Sequence, residues 1–442
     1  MSRRIYILGA GPAGMALAYY AEKHKISYSL FESSPAIGGN CKTIDYKDFK
    51  YDTGAHRFHD KNQDVTNVVK QLLGDDLQKV SSPSKIFWNG KFVEFPINAI
   101  DILGKVGFYR NFRIFLDNLF NQFKSNNNIY SFKDLAYSNY GKTLANLFLI
   151  NYTEKLWGCD AEQLAPDITG GRLKNLDVVS VIKGIFNRKN VKHLDGSFLY
   201  PKQGFGQIFT TILEQLDSKS VFLESPVVNL VTQGQNIKNI VFSNGRVVDV
   251  DKKDIVISTL PMPLLLKGFY PRLSNDILNC LSGLKYRSLR LFILFLNKDK
   301  FTNNASIYFP QDDIPFTRIY EPKNRSKQMA PDGKTCIVVE LPYDSNKSSS
   351  EVNYNIDDIT SILVDNNLVC KEDVFDSQIL DVPYAYPVIT KKIKNELEKV
   401  YDFLKNFNNL QIVGRSADFK YSHVHDLFHQ AKSMICSIKP KV

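Results

Sequence analysis

RIYILGAGPAGMALAYYAEKHKISYSLFESSPAIGGN, Arg4 to Asn40, decides the fold. An apolar run, Ile5 to Leu8, feeds into Gly9-x-Gly11-x-x-Gly14, then a helix of alanine, leucine and tyrosine, then a second strand ending at Glu32. Strand, glycine turn, helix and strand make a βαβ nucleotide-binding unit. Gly9 permits the tight turn, Gly11 lets the backbone approach a pyrophosphate at the helix N-terminus, and Gly14 allows close packing of helix on strand. Ala13 opens the helix between them. Glu32, 18 residues past Gly14, is placed to accept hydrogen bonds from an adenosine ribose. A lone glycine pattern would read as an ordinary turn; the strand before it, the helix after it and the acid at this distance make it a dinucleotide fingerprint.

Six residues past Glu32 comes Gly38-Gly39, followed by Asn40. A second glycine pair at this offset resembles flavoproteins of the glutathione-reductase-like class rather than nicotinamide dehydrogenases, and the resemblance implies FAD. Residues 220–261 read as short alternating strands punctuated by Asn244-Gly245, then a buried strand from Ile255 to Thr259. In that flavin fold such a segment returns to complete the FAD domain, which brings Val227 or Val228 near the adenine. The chain carries no second dinucleotide fingerprint, so no separate NAD(P)H domain is evident.

At 442 residues and 43% hydrophobic content the chain is long enough for two or three domains with cores of their own. Its six cysteines are scattered without C-x-x-C spacing, which suggests neither a disulfide framework nor a zinc site and makes a reducing cytoplasm the default. The basic start MSRR is followed by a glycine turn, not by a cleavage pattern, and no run approaches the roughly 20 apolar residues of a membrane span. A formal charge of +10 without a polybasic block favours anionic small ligands over nucleic acid.

The expected architecture is α/β with α+β insertions: a Rossmann-like FAD-binding domain of glutathione-reductase-like type assembled from residues 1–80, 200–265 and 405–442, a helical domain over 99–199, and an antiparallel-sheet substrate domain from 81–98 and 266–404. KIFWNGKFVEFPIN predicts a hairpin turning at Asn89-Gly90. Residues 343–355 read as a polar loop, 390–406 as a helix, and the closing segment from Leu410 as strand, glycine turn and helix, as expected where an isoalloxazine meets a helix N-terminus.

The stretch YDTGAHRFHD, Tyr51 to Asp60, concentrates two histidines, Arg57 and two aspartates. A metal site would need three or four convergent ligands, and His56 and His59 lack a recognisable third. An acid/base centre and a satisfied, half-buried histidine pair both remain open on these residues alone.

The ordered set YDTGAHRFH, FPIN, NYTEKLWGCDAEQLAP, YPKQGFGQI, IPFTRIYEPK, AYPV and IVGRSADFKYSHVHD resembles UDP-galactopyranose mutase and its flavin-dependent relatives, within the superfamily of protoporphyrinogen oxidase-like and amine-oxidase-like enzymes. The resemblance implies that His56 sits at the flavin face with Phe58, His59 and Arg57 around it, and that Gly414 and Arg415 contact the cofactor. It implies that Tyr152 and Trp157 line the substrate cleft, where core packing of their helix is the competing reading. Arg318, Phe419 and Tyr421 match further flavin and substrate positions, and Arg415 competes with a plain surface role. The implied reaction uses N5 of reduced FAD to attack the anomeric carbon of a nucleotide-activated sugar, so that the ring opens and recloses in the other size. Two departures stand against it. Such mutases clamp the diphosphate with a loop arginine and a strand arginine, whereas this loop, DITGGRLKNLDVVS, offers Arg172 and Lys174 a few residues early, and the strand TCIVVELPYD has no arginine. Phe419 also stands where a tyrosine is expected. Three readings follow: a nucleotide-sugar mutase serving surface polysaccharide synthesis with a donor other than UDP-galactose open, an FAD-dependent oxidase or desaturase, and a flavin-bearing scaffold. A homodimer is left open.

Overall fold

The computed structural model describes residues 3–438 apart from 96, 98–100, 103, 123–128 and 170–196. Arg172 and Lys174 therefore lie outside the described residues. The apolar runs of the opening unit form the middle of a five-stranded parallel sheet ordered Leu410–Ile412, Ile255–Ser258, Ile5–Leu8, Tyr28–Phe31 and Val221–Phe222. Every residue of Ile5–Leu8, Tyr28–Phe31 and Ile255–Ser258 is buried, as strands covered on both faces require. Three distant stretches of chain thus build one nucleotide-type sheet, the α/β arrangement that the opening unit and the closing segment predict.

A second sheet of seven strands runs Val374–Pro387, Tyr286–Leu296, Thr335–Asp344, Arg318–Tyr320, Ser306–Tyr308, Ser84–Trp88 and Lys91–Phe95. It is antiparallel throughout except where Ser306–Tyr308 meets Ser84–Trp88. Its hairpin turns at Asn89 and Gly90, both with positive φ, so the Asn-Gly pair supplies the primed turn that matches strand twist. A four-stranded sheet, Val247–Asp249, Asn236–Phe242, Val227–Gln233 and Phe269–Tyr270, flanks the first.

The helical part includes Phe108–Gln122, Phe132–Tyr140 and a continuous rod from Lys142 to Trp157. Ser131 and Asp134 form a reciprocal capping box at the start of the second helix. The rod contains a π-helical stretch, Asn146–Ile150, directly before the segment that carries Tyr152 and Trp157. Such bulges rotate the following turn relative to an ideal helix and cluster at functional sites. Residues 356–365 form a helix directly after the polar loop 343–355, and Asn355 and Asp358 cap it reciprocally; no element was assigned to it from sequence. Among the described residues, no helix is long and apolar enough to cross a membrane.

Close packing of the first helix, Pro12–Lys23, on the parallel sheet depends on Gly14, where a Cβ would lie 1.9 Å from the Gly9 carbonyl oxygen. Backbone cannot yield as a flexible side chain can. Gly14→Ala should therefore lower the thermal midpoint by many degrees, a loss of about 1–3 kcal/mol or more from overpacking, with calorimetry as the measurement. An unchanged midpoint would mean that the helix is free to move off the strand.

Candidate active site

A cavity of about 1670 Å³ runs from the glycine turn of the parallel sheet to the rod 142–157 and the seven-stranded sheet. That exceeds the roughly 300–1,000 Å³ of an ordinary small-ligand pocket and leaves room for a dinucleotide beside a second ligand. At its nucleotide end Gly9, Gly38 and Gly39 all have positive φ, at 99°, 97° and 53°. The Gly38 N–H donates to the Ala10 carbonyl at 2.8 Å, so the second glycine pair is locked onto the first turn. Gly11 differs from Gly14. A Cβ there would meet no protein atom closer than the Gly39 Cα at 3.9 Å, so the space beside it belongs to the cavity. Gly11 caps the helix without a side-chain acceptor, which leaves the first-turn N–H groups turned to that space. The Glu32 carboxylate is held by the Ala10 N–H at 2.7 Å and the Ser34 N–H at 2.9 Å and lines the same end. A pyrophosphate cradle and an oriented ribose acceptor together fit FAD. Ala13 and Asn40 also line this end, and the Asn40 side chain donates to the Pro383 carbonyl at 2.9 Å. Val228, expected beside the adenine, does not line the cavity; it is 44% exposed on the four-stranded sheet.

The Thr53–Arg57 turn forms the next part of the wall. His56 Nε2 lies 2.8 Å from the Asn40 carbonyl oxygen, an acceptor only, so Nε2 carries the proton. Burial, with the Arg325 and Arg415 charges adding to it, pushes the His56 pKa down to about 3. His56 is thus a neutral, pinned imidazole at neutral pH, which removes it as a titrating base there. Arg57 donates to Ser84 Oγ at 2.9 Å and lies over the Phe198 ring. Among the described residues no three His, Cys, Asp or Glu side chains converge as a metal would require. Gly414, at φ 128°, and Arg415 face this turn from the segment leading to the helix Val424–Ile438, and His59 and His423 line the wall as well.

A further part of the lining is aromatic. Tyr152, Trp157, Tyr308, Tyr386 and Tyr421 all line it. Tyr386 and Tyr421 stack at 6.1 Å, Trp157 sets its edge on both, and the Arg415 guanidinium lies 4.3 Å from the Tyr421 centroid. Burial pushes the Tyr386 phenol up to about 12 and raises Tyr152 further, while the Arg318 charge opposes both; each stays a neutral donor. The segment bearing Tyr152 and Trp157 is fixed from outside the cavity. Lys155 Nζ donates to the carbonyls of Phe309 at 2.8 Å and Ile314 at 2.7 Å, and Arg287 Nε donates to the Leu156 carbonyl at 3.0 Å, just before the helix ends at Gly158. Trp157 belongs to the helical core and to the cavity wall at once, so the packing and cleft readings both hold for it.

Arg318 is half-buried on the same lining, but its Nε and Nη2 donate to the two Glu340 oxygens, each at 2.8 Å. It is not a free cation. Phe419 does not line the cavity: at φ 46° it is buried in a hydrophobic core with Leu8, Phe31 and Phe242 and meets the Tyr286 ring edge-on at 5.0 Å. The expectation of a substrate contact there is corrected. Glu340, Tyr386, Tyr308 and His423 were not singled out from sequence. Tyr386 could have been, since it sits in the quoted AYPV; Glu340 shows its place only through strand register.

The model of flavin containing amine oxidoreductases matches residues 12–347. The chain belongs to this family. Within it, the dTDP-fucopyranose mutase of Escherichia coli is 20% identical over 434 residues, 95% of this chain and 93% of that enzyme. The mitochondrial protoporphyrinogen oxidase of Nicotiana tabacum is 30% identical, but over 105 residues, 23% of this chain and 21% of that enzyme, so the chain spans about a fifth of that relative. Among solved structures, a reduced UDP-galactopyranose mutase superposes with a TM-score of 0.85 at 20% identity, covering 100% of this chain and 97% of that one. A redesigned putrescine oxidase superposes with a TM-score of 0.64 at 14% identity, with 99% of each chain covered. The family fold and its flavin are therefore established, and FAD is the cofactor that the glycine cradle fits.

Because the space beside Gly11 belongs to the cavity and not to the protein, Gly11→Val should fold and yet lose the cofactor. The measurement is the ratio of visible flavin absorbance to protein absorbance beside a melting curve: a colourless protein with a cooperative transition is expected. A yellow variant at parental occupancy would overturn the cradle.

Proposed function

We propose that the protein is a flavin-dependent nucleotide-sugar mutase that interconverts a pyranose and a furanose, acts in the cytoplasm, and supplies surface polysaccharide synthesis. The observation that carries this reading is the aromatic box of Trp157, Tyr386 and Tyr421 lining the same cavity as the His56 turn. Ring faces there offer apolar surface to the C–H side of a sugar, and phenolic O–H groups offer donors at the edges. The nearly end-to-end match to a dTDP-sugar mutase supports it. Reduced FAD, when bound, supplies N5 as the nucleophile toward the anomeric carbon. The chain's own part is to hold the sugar over that atom, to exclude water behind the aromatic wall, and to keep the leaving diphosphate near positive charge. Arg415 supports the last task, and Arg172 and Lys174 are the sequence-level candidates to complete it.

An oxidase acting on an amine or a conjugated substrate is the second reading. The engagement of Arg318 by Glu340 favours it, because a paired arginine holds a diphosphate less strongly than a free one. The two readings use the flavin in opposite states. Dithionite-reduced protein, incubated anaerobically with UDP- and dTDP-hexoses including deoxy and N-acetyl forms, should interconvert at least one pyranose and furanose, followed by chromatography. Trp157→Ala should lower turnover by about 10²-fold through lost positioning. If no sugar reacts while an amine, porphyrinogen or polyene bleaches the oxidised flavin, the oxidase reading replaces the mutase.

We also propose a homodimer. The helix Phe108–Gln122 leaves Phe108, Tyr109, Phe112, Phe115 and Phe120 each more than half exposed. At about 150–250 Å² per aromatic side chain these rings present several hundred Å², above what monomers usually leave bare and close to the roughly 800 Å² of one side of a stable interface. A second copy related by a two-fold axis covers the same patch on both partners. Phe112→Glu with Phe115→Glu should halve the mass by light scattering and keep the flavin bound; a parent of monomeric mass would overturn the assignment.

A further inference from the structure

Arg318 and Glu340 stand directly opposite each other on neighbouring antiparallel strands, and both line the cavity. The guanidinium is held side-on, through Nε and Nη2, by a carboxylate whose side chain is 2% exposed. This leaves Nη1 as the guanidinium nitrogen that Glu340 does not take. The same carboxylate has a second duty: its Oε1 also accepts the Ala55 N–H at 3.1 Å. Ala55 precedes His56 in the turn that forms the flavin-side wall, so one carboxyl group joins that turn to the arginine of the substrate-side wall. Tyr152 and Tyr386 both feel the Arg318 charge, which puts the pair among the aromatic side chains and not behind them.

We propose that Glu340 is a positioning residue for both halves of the site, holding Arg318 with one edge toward the ligand while cancelling its charge beside the flavin. A bidentate fork fixes a guanidinium in plane far better than a single contact does. Charges held out of water are poorly screened, so each member of the pair would act on the electron-accepting ring of a flavin bound in the cavity with its own sign. The carboxylate disfavours added electrons and the guanidinium favours them. Together they add little net charge to the cavity wall and leave the flavin potential close to what the remaining charges and dipoles set. The same cancellation weakens the pull of Arg318 on an anionic leaving group. The substrate-side wall is then a rigid donor edge in place of an anion trap.

The test is a charge cycle on the flavin-loaded protein: Glu340→Gln, Arg318→Gln and the double variant, with glutamine isosteric to Glu340 and a shorter neutral amide at Arg318. Midpoint potentials are read by dye-coupled reduction. Glu340→Gln should raise the potential, Arg318→Gln should lower it, and the double variant should return close to the parent. A merely structural role would not give opposite signs that cancel. If the two single variants shift the potential in the same direction, or if the double variant departs from the parent as far as a single one, the proposal is overturned. The comparison of Arg318→Gln with the double variant decides the matter even where Glu340→Gln alone does not accumulate, because the double variant buries no lone charge.

A second arm rests on the mutase reading. The affinities for UDP and dTDP, measured by fluorescence, should rise several-fold in Glu340→Gln and fall several-fold in Arg318→Gln. If the parent binds neither nucleotide, the mutase reading fails while the potentials still judge the role of Glu340. If it binds them and Glu340→Gln binds them no more tightly, the charge cancellation is wrong.

Discussion

Everything at the site hangs on one buried carboxylate, Asp52. It accepts the Tyr200 hydroxyl at 2.5 Å and the Thr43 hydroxyl at 2.7 Å, together with the Phe205 N–H at 2.9 Å. Its own carbonyl accepts the Tyr320 hydroxyl at 2.7 Å. Burial raises its pKa and these donors oppose the rise. Beside it the fully buried Arg325 lies 4.6 Å from the Tyr320 ring centroid and donates to the His56 carbonyl at 3.2 Å. A group that costs several kcal/mol to desolvate alone is tolerable only when it is surrounded like this. The consequence is geometric. The hairpin before the flavin turn, the strand Ser197–Pro201 and the strand Arg318–Tyr320 are tied to a common point, and the Thr53–His56 turn between them has little freedom left.

The other wall is fixed by a different device. Lys155 and Arg287 give their charges not to carboxylates but to backbone carbonyls, Lys155 to those of residues 309 and 314 in the loop of the seven-stranded sheet, Arg287 to those of Leu156 and Pro342. Burial pushes Lys155 down to about 8, a sign of how fully it is enclosed. Each cation spans the rod and the sheet, so Trp157 and Tyr152 are placed by contacts that never enter the cavity. The π-helical stretch before them sets the rotation, and the two cations hold it. Cavity-lining aromatic residues with such backing would lose little freedom when a ligand binds, which is where preorganisation gains affinity.

The nucleotide half of this molecule was legible because its physics is local. Gly9, Gly11, Gly14, Gly38 and Gly39 are needed at fixed offsets by turns and close approaches within 40 residues, and no other residue type fits most of them. The Asn89-Gly90 turn was readable for the same reason. The substrate half is made of residues that meet only through sheet register. Nothing within a few positions of Glu340 announces that it will face Arg318, 22 residues away in sequence. Phe419 misled because it adjoins real site residues; a left-handed backbone at that position reverses its direction, and a single positive φ is invisible in a string of letters. Which of Val227 and Val228 turns inward is set by alternation along a strand whose register is irregular between Val227 and Asn229, so the letters alone could not choose between them. The missed helix at 356–365 shows the opposite error, where a capping signal was present and the surrounding polar residues concealed it.

One fold serves oxidases and isomerases in this family, so chemistry must be argued from the wall that faces the flavin. Here that wall continues past the aromatic box into Phe95, Phe132, Phe148, Leu149 and Ile168, which are apolar and belong to the helical part of the chain or border it. A ligand that fills the whole space therefore needs one portion rich in hydroxyl groups, to use the phenols and the Arg318 edge, and another that is flat and apolar on its faces. An amine or a short acid satisfies only the first portion, a polyene only the second. The proposed nucleotide sugar, a hydroxyl-rich ring joined to a flat base, would satisfy both, with the Arg415 charge beside Tyr421 on the same lining. The division of the cavity into a polar aromatic part and an apolar part is thus the feature on which the proposed nucleotide-sugar substrate rests.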